Sequence, residues 1–142
     1  MKKIVSLFAF VVLFSCNQKE QKENSNDKGK KFDMYEMSEM ATLMEQIFVN
    51  NQELKNRIVR KQYLGDFPQH FLEIHSAVMT DKQENDAFFK ENAASYIHYQ
   101  KLVYQDPKNA KQNFNSSIDV CIKCHEVKCT GPIQRIKKLY IK

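Results

Sequence analysis

Two thiols and an imidazole stand within five consecutive positions near the C-terminal end of the chain: Cys121, Cys124 and His125 in the string CIKCH. The pattern C-x-x-C-H is the attachment sequence of a c-type haem. Thiols at this spacing can each form a thioether to one edge of a porphyrin. The histidine after the second thiol then ligates the iron axially. C-x-x-C also occurs in zinc sites and redox dithiols. A zinc site usually draws four ligands from two paired clusters. Here the other cysteines are Cys16 and Cys129, with no second C-x-x-C and no H-x-x-x-H. A thioredoxin-like dithiol needs a βαβ context, which the sequence does not display. One covalent haem c is the expected cofactor, with thioethers from Cys121 and Cys124 and His125 as proximal iron ligand. Zinc and a bare dithiol are the alternatives.

Covalent haem attachment takes place outside the bacterial cytoplasm, and the N-terminus reads as an export signal. Met1-Lys2-Lys3 is a basic start, and residues 4–14 are apolar apart from Ser6. That run is shorter than the ~20 residues a membrane span needs and fits a secretory signal. It ends at Leu13-Phe14-Ser15-Cys16, which resembles the lipobox of bacterial lipoproteins. The resemblance implies a signal peptide over 1–15 and a lipidated Cys16, anchoring the chain in the cell envelope on the periplasmic side. An ordinary cleavable signal with an incidental cysteine is the alternative. Residues 17–31 (NQKEQKENSNDKGKK) carry no apolar side chain, too little to offset the entropy of ordering them. Residues 16–31 are therefore expected to form a flexible tether with a mean reach on the order of 20 Å.

Residues 32–142 then make one small domain. Helical rather than alternating periodicity runs between its few glycines and prolines. The first helix is expected over 32–63, with Met37, Ala41, Met44, Phe48, Leu54 and Ile58 as its stripe. The second covers 68–79, with Phe71, Leu72, Ile74 and His75 on or near one side. Thr80 and Gln83 read as a capping box. The third covers 86–105, with Phe89, Ala93, Tyr96, Ile97 and Tyr104 inward. The fourth starts near Asp106, with Phe114, Ile118, Cys121 and His125 on one stripe and Cys124 beside it. A short basic segment, 133–142, packs through Ile136 and Leu139. Four amphipathic helices with short links predict an all-α fold, an antiparallel four-helix bundle with the haem on its C-terminal helix.

The 17 residues after His125 contain neither methionine nor histidine. The chain that covers the haem must therefore precede the motif. With CIKCH on the last of four helices and methionines on the first, residues 32–129 resemble the cytochrome c prime family. In that family a bulky apolar residue from the first helix often sits above a five-coordinate iron, open to small gases. The resemblance also suggests homodimers. The family often has a basic residue four positions after the haem histidine; here Cys129 stands there, with Lys128 one position earlier, and the tail CTGPIQRIKKLYIK is an addition.

Met37, Met40 and Met44 recur at helical spacing on the first helix. A thioether from Met44, or second from Met40, is a candidate sixth ligand that would raise the reduction potential. Methionine is equally a core filler, so Met44, Met40 and Phe48 could instead only pack on the distal haem face. His75 is the best placed of the other histidines to face inward. With Cys16 lipidated and Cys121 and Cys124 bonded to haem, Cys129 has no intramolecular partner; it is expected to be buried beside the haem, with a link between two molecules as the alternative.

The chain carries 22 basic and 17 acidic residues. From Cys121 onward Lys123, Lys128, Arg135, Lys137, Lys138 and Lys142 face Glu126 alone. This excess is either a solvated face or a docking patch for an acidic redox partner. Outside the cytoplasm nucleic acid is not an expected partner. The expected function is single-electron transfer near a membrane, with binding of nitric oxide or carbon monoxide as the alternative. No distal acid–base pair suggests an enzyme, and Glu45 and Asp119 are expected at the surface.

Overall fold

Ser38 starts the first helix. Its hydroxyl accepts the backbone N–H of Ala41 at 3.2 Å, satisfying one of the donors that every helix leaves open at its N-terminus. In the computed structural model, which describes residues 36–142, helix α1 then runs over Glu39–Val59. It stops earlier than the expected residue 63 because Lys61 takes a left-handed conformation, φ 54°, which no α-helix continues through. Its buried side is Met40, Leu43, Ile47, Asn51 and Leu54. The expected stripe through Ala41, Met44 and Phe48 is only half-buried, since that side of α1 borders open space at the candidate site. Met37 precedes the helix and is exposed.

The expected second helix is a 3-10 helix over Gln69–His75. Pro68 precedes it, and no side chain caps its start. In a 3-10 helix positions three apart eclipse, so Phe71 and Ile74 both turn inward and are buried, while Leu72 and His75 are exposed. His75 therefore does not face the core. Asp81, rather than Thr80, caps the short turn that follows, accepting from Gln83 N at 2.9 Å.

Helix α2 (Ala87–Gln105) starts at Asp86, whose carboxylate accepts from Phe89 N at 2.8 Å. Asp106 and the turn Pro107–Asn109 end it and lead into α3 (Ala110–Lys128). Gln100 meets Ser117, Leu102 meets Asn113 and Asp86 meets Lys128. Ascending numbers on one helix face descending numbers on the other, so α2 and α3 are antiparallel. After Gly131-Pro132 a short α4 (Ile133–Ile136) and a 3-10 turn lay Ile136, Leu139 and Ile141 against Leu54, Val103, Phe114 and Ile118. The Asn115 amide holds Ile141 by both backbone groups at 3.0 Å. The described residues are all-α, with no strand among them, and none of their helices is long and apolar enough to cross a membrane.

Periodicity did not anticipate a polar seam inside this core. Asn51 Nδ2 donates to Tyr96 Oη at 2.9 Å, and Gln100 Nε2 donates to Asn51 Oδ1 at 2.7 Å and Ser117 Oγ at 2.9 Å. Asn51, Gln100 and Ser117 are all buried. The chain of bonds pins α1, α2 and α3 in one register, because a slip of either helix would strand buried polar groups.

Candidate functional site

Cys121, Cys124 and His125 lie one turn apart on one side of α3, as the three- and four-residue spacings require. Cys121 packs against both apolar clusters of the core. Burial and the neighbouring Cys124 push its thiol up to about 12. Cys124 is also raised, first by burial, then by Asp86 and Glu84, with Lys128 opposing. Burial thus disfavours the thiolate at both sulfurs, opposite to the lowered thiols of redox dithiols. Among the described residues no three His, Cys, Asp or Glu side chains converge as a metal site would require.

His125 is half-buried, and its Nδ1 sits 2.7 Å from the carbonyl oxygen of Cys121. An N–H on Nδ1 donates to that carbonyl, which leaves Nε2 with a free lone pair.

Beside this helix side lies a cavity of about 490 Å³, within the ~300–1,000 Å³ usual for cofactor pockets. Cys124, His125, Lys128 and Cys129 of α3 border it, facing Met40 and Met44 of α1. Met37, Met79 and Phe89 add to its apolar wall. Four of the chain's six methionines thus meet in one space. Two smaller recesses, of about 30 and 60 Å³, reach Cys121. Met44 and His125 border all three spaces.

Met79 comes from the irregular segment before α2, where no periodicity marks it. Backbone pairing brings it in: Met40 N donates to Val78 O at 3.0 Å, and Val78 N donates to the Glu39 carboxylate at 2.9 Å. Thr80 Oγ1 lies 3.1 Å from Ser38 Oγ. Met40 is buried and Met44 half-buried on the cavity wall. Phe48 lies outside the main cavity. It borders the recess that holds Cys121, and the Arg135 guanidinium stacks on its ring at 3.8 Å. Cys129 is exposed rather than buried, because α3 ends at this residue and the backbone there turns extended.

The basic excess around the motif is partly neutralised. Lys128 Nζ lies 2.5 Å from Asp86 and 2.6 Å from Glu84. Arg135 makes a two-pronged contact to Glu45 at 2.6 and 2.7 Å. Glu45 and Asp119 are exposed, and Asp119 accepts from the Tyr140 hydroxyl at 2.5 Å. The expected signal segment, Cys16 and the tether lie outside the described residues.

The chain matches no protein-family model, no curated protein and no solved structure. Its chemistry must be read from its own residues.

These residues fit a covalently attached haem on three counts. Two thiols stand at the right spacing, the imidazole holds its Nδ1 against a backbone carbonyl, and a largely apolar cavity of cofactor size adjoins Cys124 and His125.

Proposed function

We propose that this chain is a monohaem c-type cytochrome that carries single electrons in the bacterial cell envelope, held at a membrane by a lipidated Cys16. The observation that carries the reading is the arrangement on α3: His125, its Nδ1 directed to the Cys121 carbonyl, shares one side of the helix with the Cys121 and Cys124 thiols, and with Cys124 it borders a methionine-lined cavity. Cys121 and Cys124 would hold the haem as thioethers, each S–H adding across one vinyl C=C so that no oxidant or leaving group is required. His125 would supply the proximal nitrogen. Haem c supplies a one-electron iron couple.

The chain's own residues account for the rest. Met40, Met79 and Phe89 would shield a bound haem from water on their side of the cavity, which favours the less charged state of a redox centre. Met44 takes first place for the sixth ligand because it borders every space that His125 borders. The Cys121 carbonyl fixes the orientation of the imidazole. In this reading α1, α2, α3 and the short Gln69–His75 element would serve as the four helices of a bundle of the cytochrome c prime type.

Expression in a host with the haem-maturation machinery tests the proposal. The expected result is an intact mass larger by one haem and a haemochrome spectrum of c type. Protein of unmodified mass would overturn it. A low-spin reduced spectrum that carbon monoxide leaves unchanged supports electron transfer. A high-spin spectrum that shifts fully would assign gas binding instead.

A further inference from the structure

We propose that the end of the domain remote from the cavity docks on an anionic lipid surface, an inference that rests on the membrane-anchored reading above. Residues 55–63 (KNRIVRKQY) and 137–142 (KKLYIK) contain basic residues and no acid. The fold joins the two segments. Lys55 Nζ donates to the Lys138 carbonyl at 2.7 Å, and Ile58 packs in the same apolar cluster as Leu139 and Ile141. Arg60, Lys61, Lys137 and Lys138 are exposed. Nearby, Glu53 is paired with Arg57, and Asp66 is exposed in the turn that follows.

Charge alone would suit any anionic partner. The apolar neighbours select lipid: Tyr63 is 83% exposed and Val59 59% exposed. A ring with a polar tip beside long basic side chains matches the headgroup layer of a bilayer, where tyrosine and snorkelling lysines settle. Each basic side chain near an anionic surface strengthens the contact roughly fivefold. An anchored domain needs only weak contact, because its tether keeps it at high local concentration.

The geometry is compatible with the anchor. From Met44 at the cavity to Val59 at the basic end α1 rises roughly 22 Å, so docking would turn the cavity away from the lipid. The chain enters α1 at the cavity end, at Ser38. The stretch from Cys16 to Ser38 spans up to roughly 70 Å when extended. The full α1 axis is about 31 Å, so the anchor does not prevent this orientation.

The test uses the mature, lipidated, haem-loaded chain in vesicles of phosphatidylcholine alone or mixed with phosphatidylglycerol. Amine labelling is read by peptide mass. Labelling of Lys61, Lys137 and Lys138 should fall several-fold on the mixed vesicles and return at high salt. Lys90 and Lys123, on the cavity half, should not change. An Arg60→Glu, Lys61→Glu, Lys138→Glu variant should lose the protection at Lys137, the labelled lysine it retains, while keeping its spectrum. Equal labelling on both vesicles overturns the proposal, as does protection that requires an added acidic protein. Failure of the anchored reading looks different: the chain would not associate with phosphatidylcholine vesicles at all.

Discussion

His125 Nδ1 lies 2.7 Å from the carbonyl oxygen of Cys121, one turn earlier on α3. The contact falls on a carbonyl of the same helix, so the ring is held against its own helix. It settles which nitrogen carries the proton and leaves Nε2 directed off the helix. Binding of iron at Nε2 would then require no change of tautomer. His125→Ala should keep the covalent mass, since both thiols remain, but lose the absorbance of an imidazole-ligated iron. Unchanged absorbance would show that another residue holds the iron.

The three described cysteines should differ in reactivity before haem attachment. Cys129 is exposed, Cys124 is raised by partial burial, and Cys121 is pushed up to about 12. Alkylation follows thiolate fraction and access, so Cys129 should react first and Cys121 last. After maturation only Cys129 should react. Mass mapping of a timed alkylation checks the order. An exposed thiol in an oxidising compartment should also give a dimer band on non-reducing gels, and Cys129→Ser should abolish it.

Met44→Ala should convert a low-spin reduced spectrum to a high-spin, gas-binding one, because the thioether that borders every space His125 borders is removed. Met40→Ala, which leaves Met44 in place, should keep the low-spin form. If the two variants behave alike, Met44 is wall rather than ligand.

Gln100 Nε2 serves Asn51 and Ser117 at once, and all three are buried. Gln100→Ala would leave two buried oxygens short of a donor, at about 1–3 kcal/mol. For a domain of this size that corresponds to roughly 4–8 °C of Tm per kcal/mol. Calorimetry should show the loss. A Tm within a degree of the parent would mean that water or side-chain rearrangement satisfies the seam.

Acidification should weaken the rim of the cavity. Hydrogen bonds from Arg135 hold the Glu45 carboxyl below its ordinary 4.5, and Lys128 holds Asp86 below 3.8. A carboxyl lowered in the folded state gives its stabilisation above its unfolded value and loses it as pH falls through the folded one. Tm should therefore decline below about pH 4.5. Glu45→Gln with Asp86→Asn should make the decline shallower. An identical slope in the variant would place the acid sensitivity elsewhere.

The shared helix side of Cys121, Cys124 and His125 was legible in the sequence because it is local. Five consecutive residues set the spacing of two thiols and an imidazole on any helix, and the limits of α2 follow from Asp86 and Pro107 acting on their own neighbours. The short tail helix was legible for the same reason, with Gly131-Pro132 before it and Ile136 and Leu139 at its core side. The segment 69–75 was not. Its apolar residues suit a helix of either period, and only packing of Phe71 and Ile74 against α1 and α2 chose the tighter one.

The residues around the motif were decided by tertiary structure alone. Met79 is brought in by its neighbour Val78, whose carbonyl accepts from Met40 N and whose N–H donates to the Glu39 carboxylate, contacts that no periodicity encodes. Lys128 and Arg135 read as free positive charge in sequence, yet Asp86, Glu84 and Glu45, distant in the chain, pair with them. Cys129 reads as one more turn of α3, yet the helix ends there and exposes it. Spacing along a helix fixes which groups share a side. What stands opposite them depends on which other segments fold against that side, and such contacts are set by the packing of the whole chain.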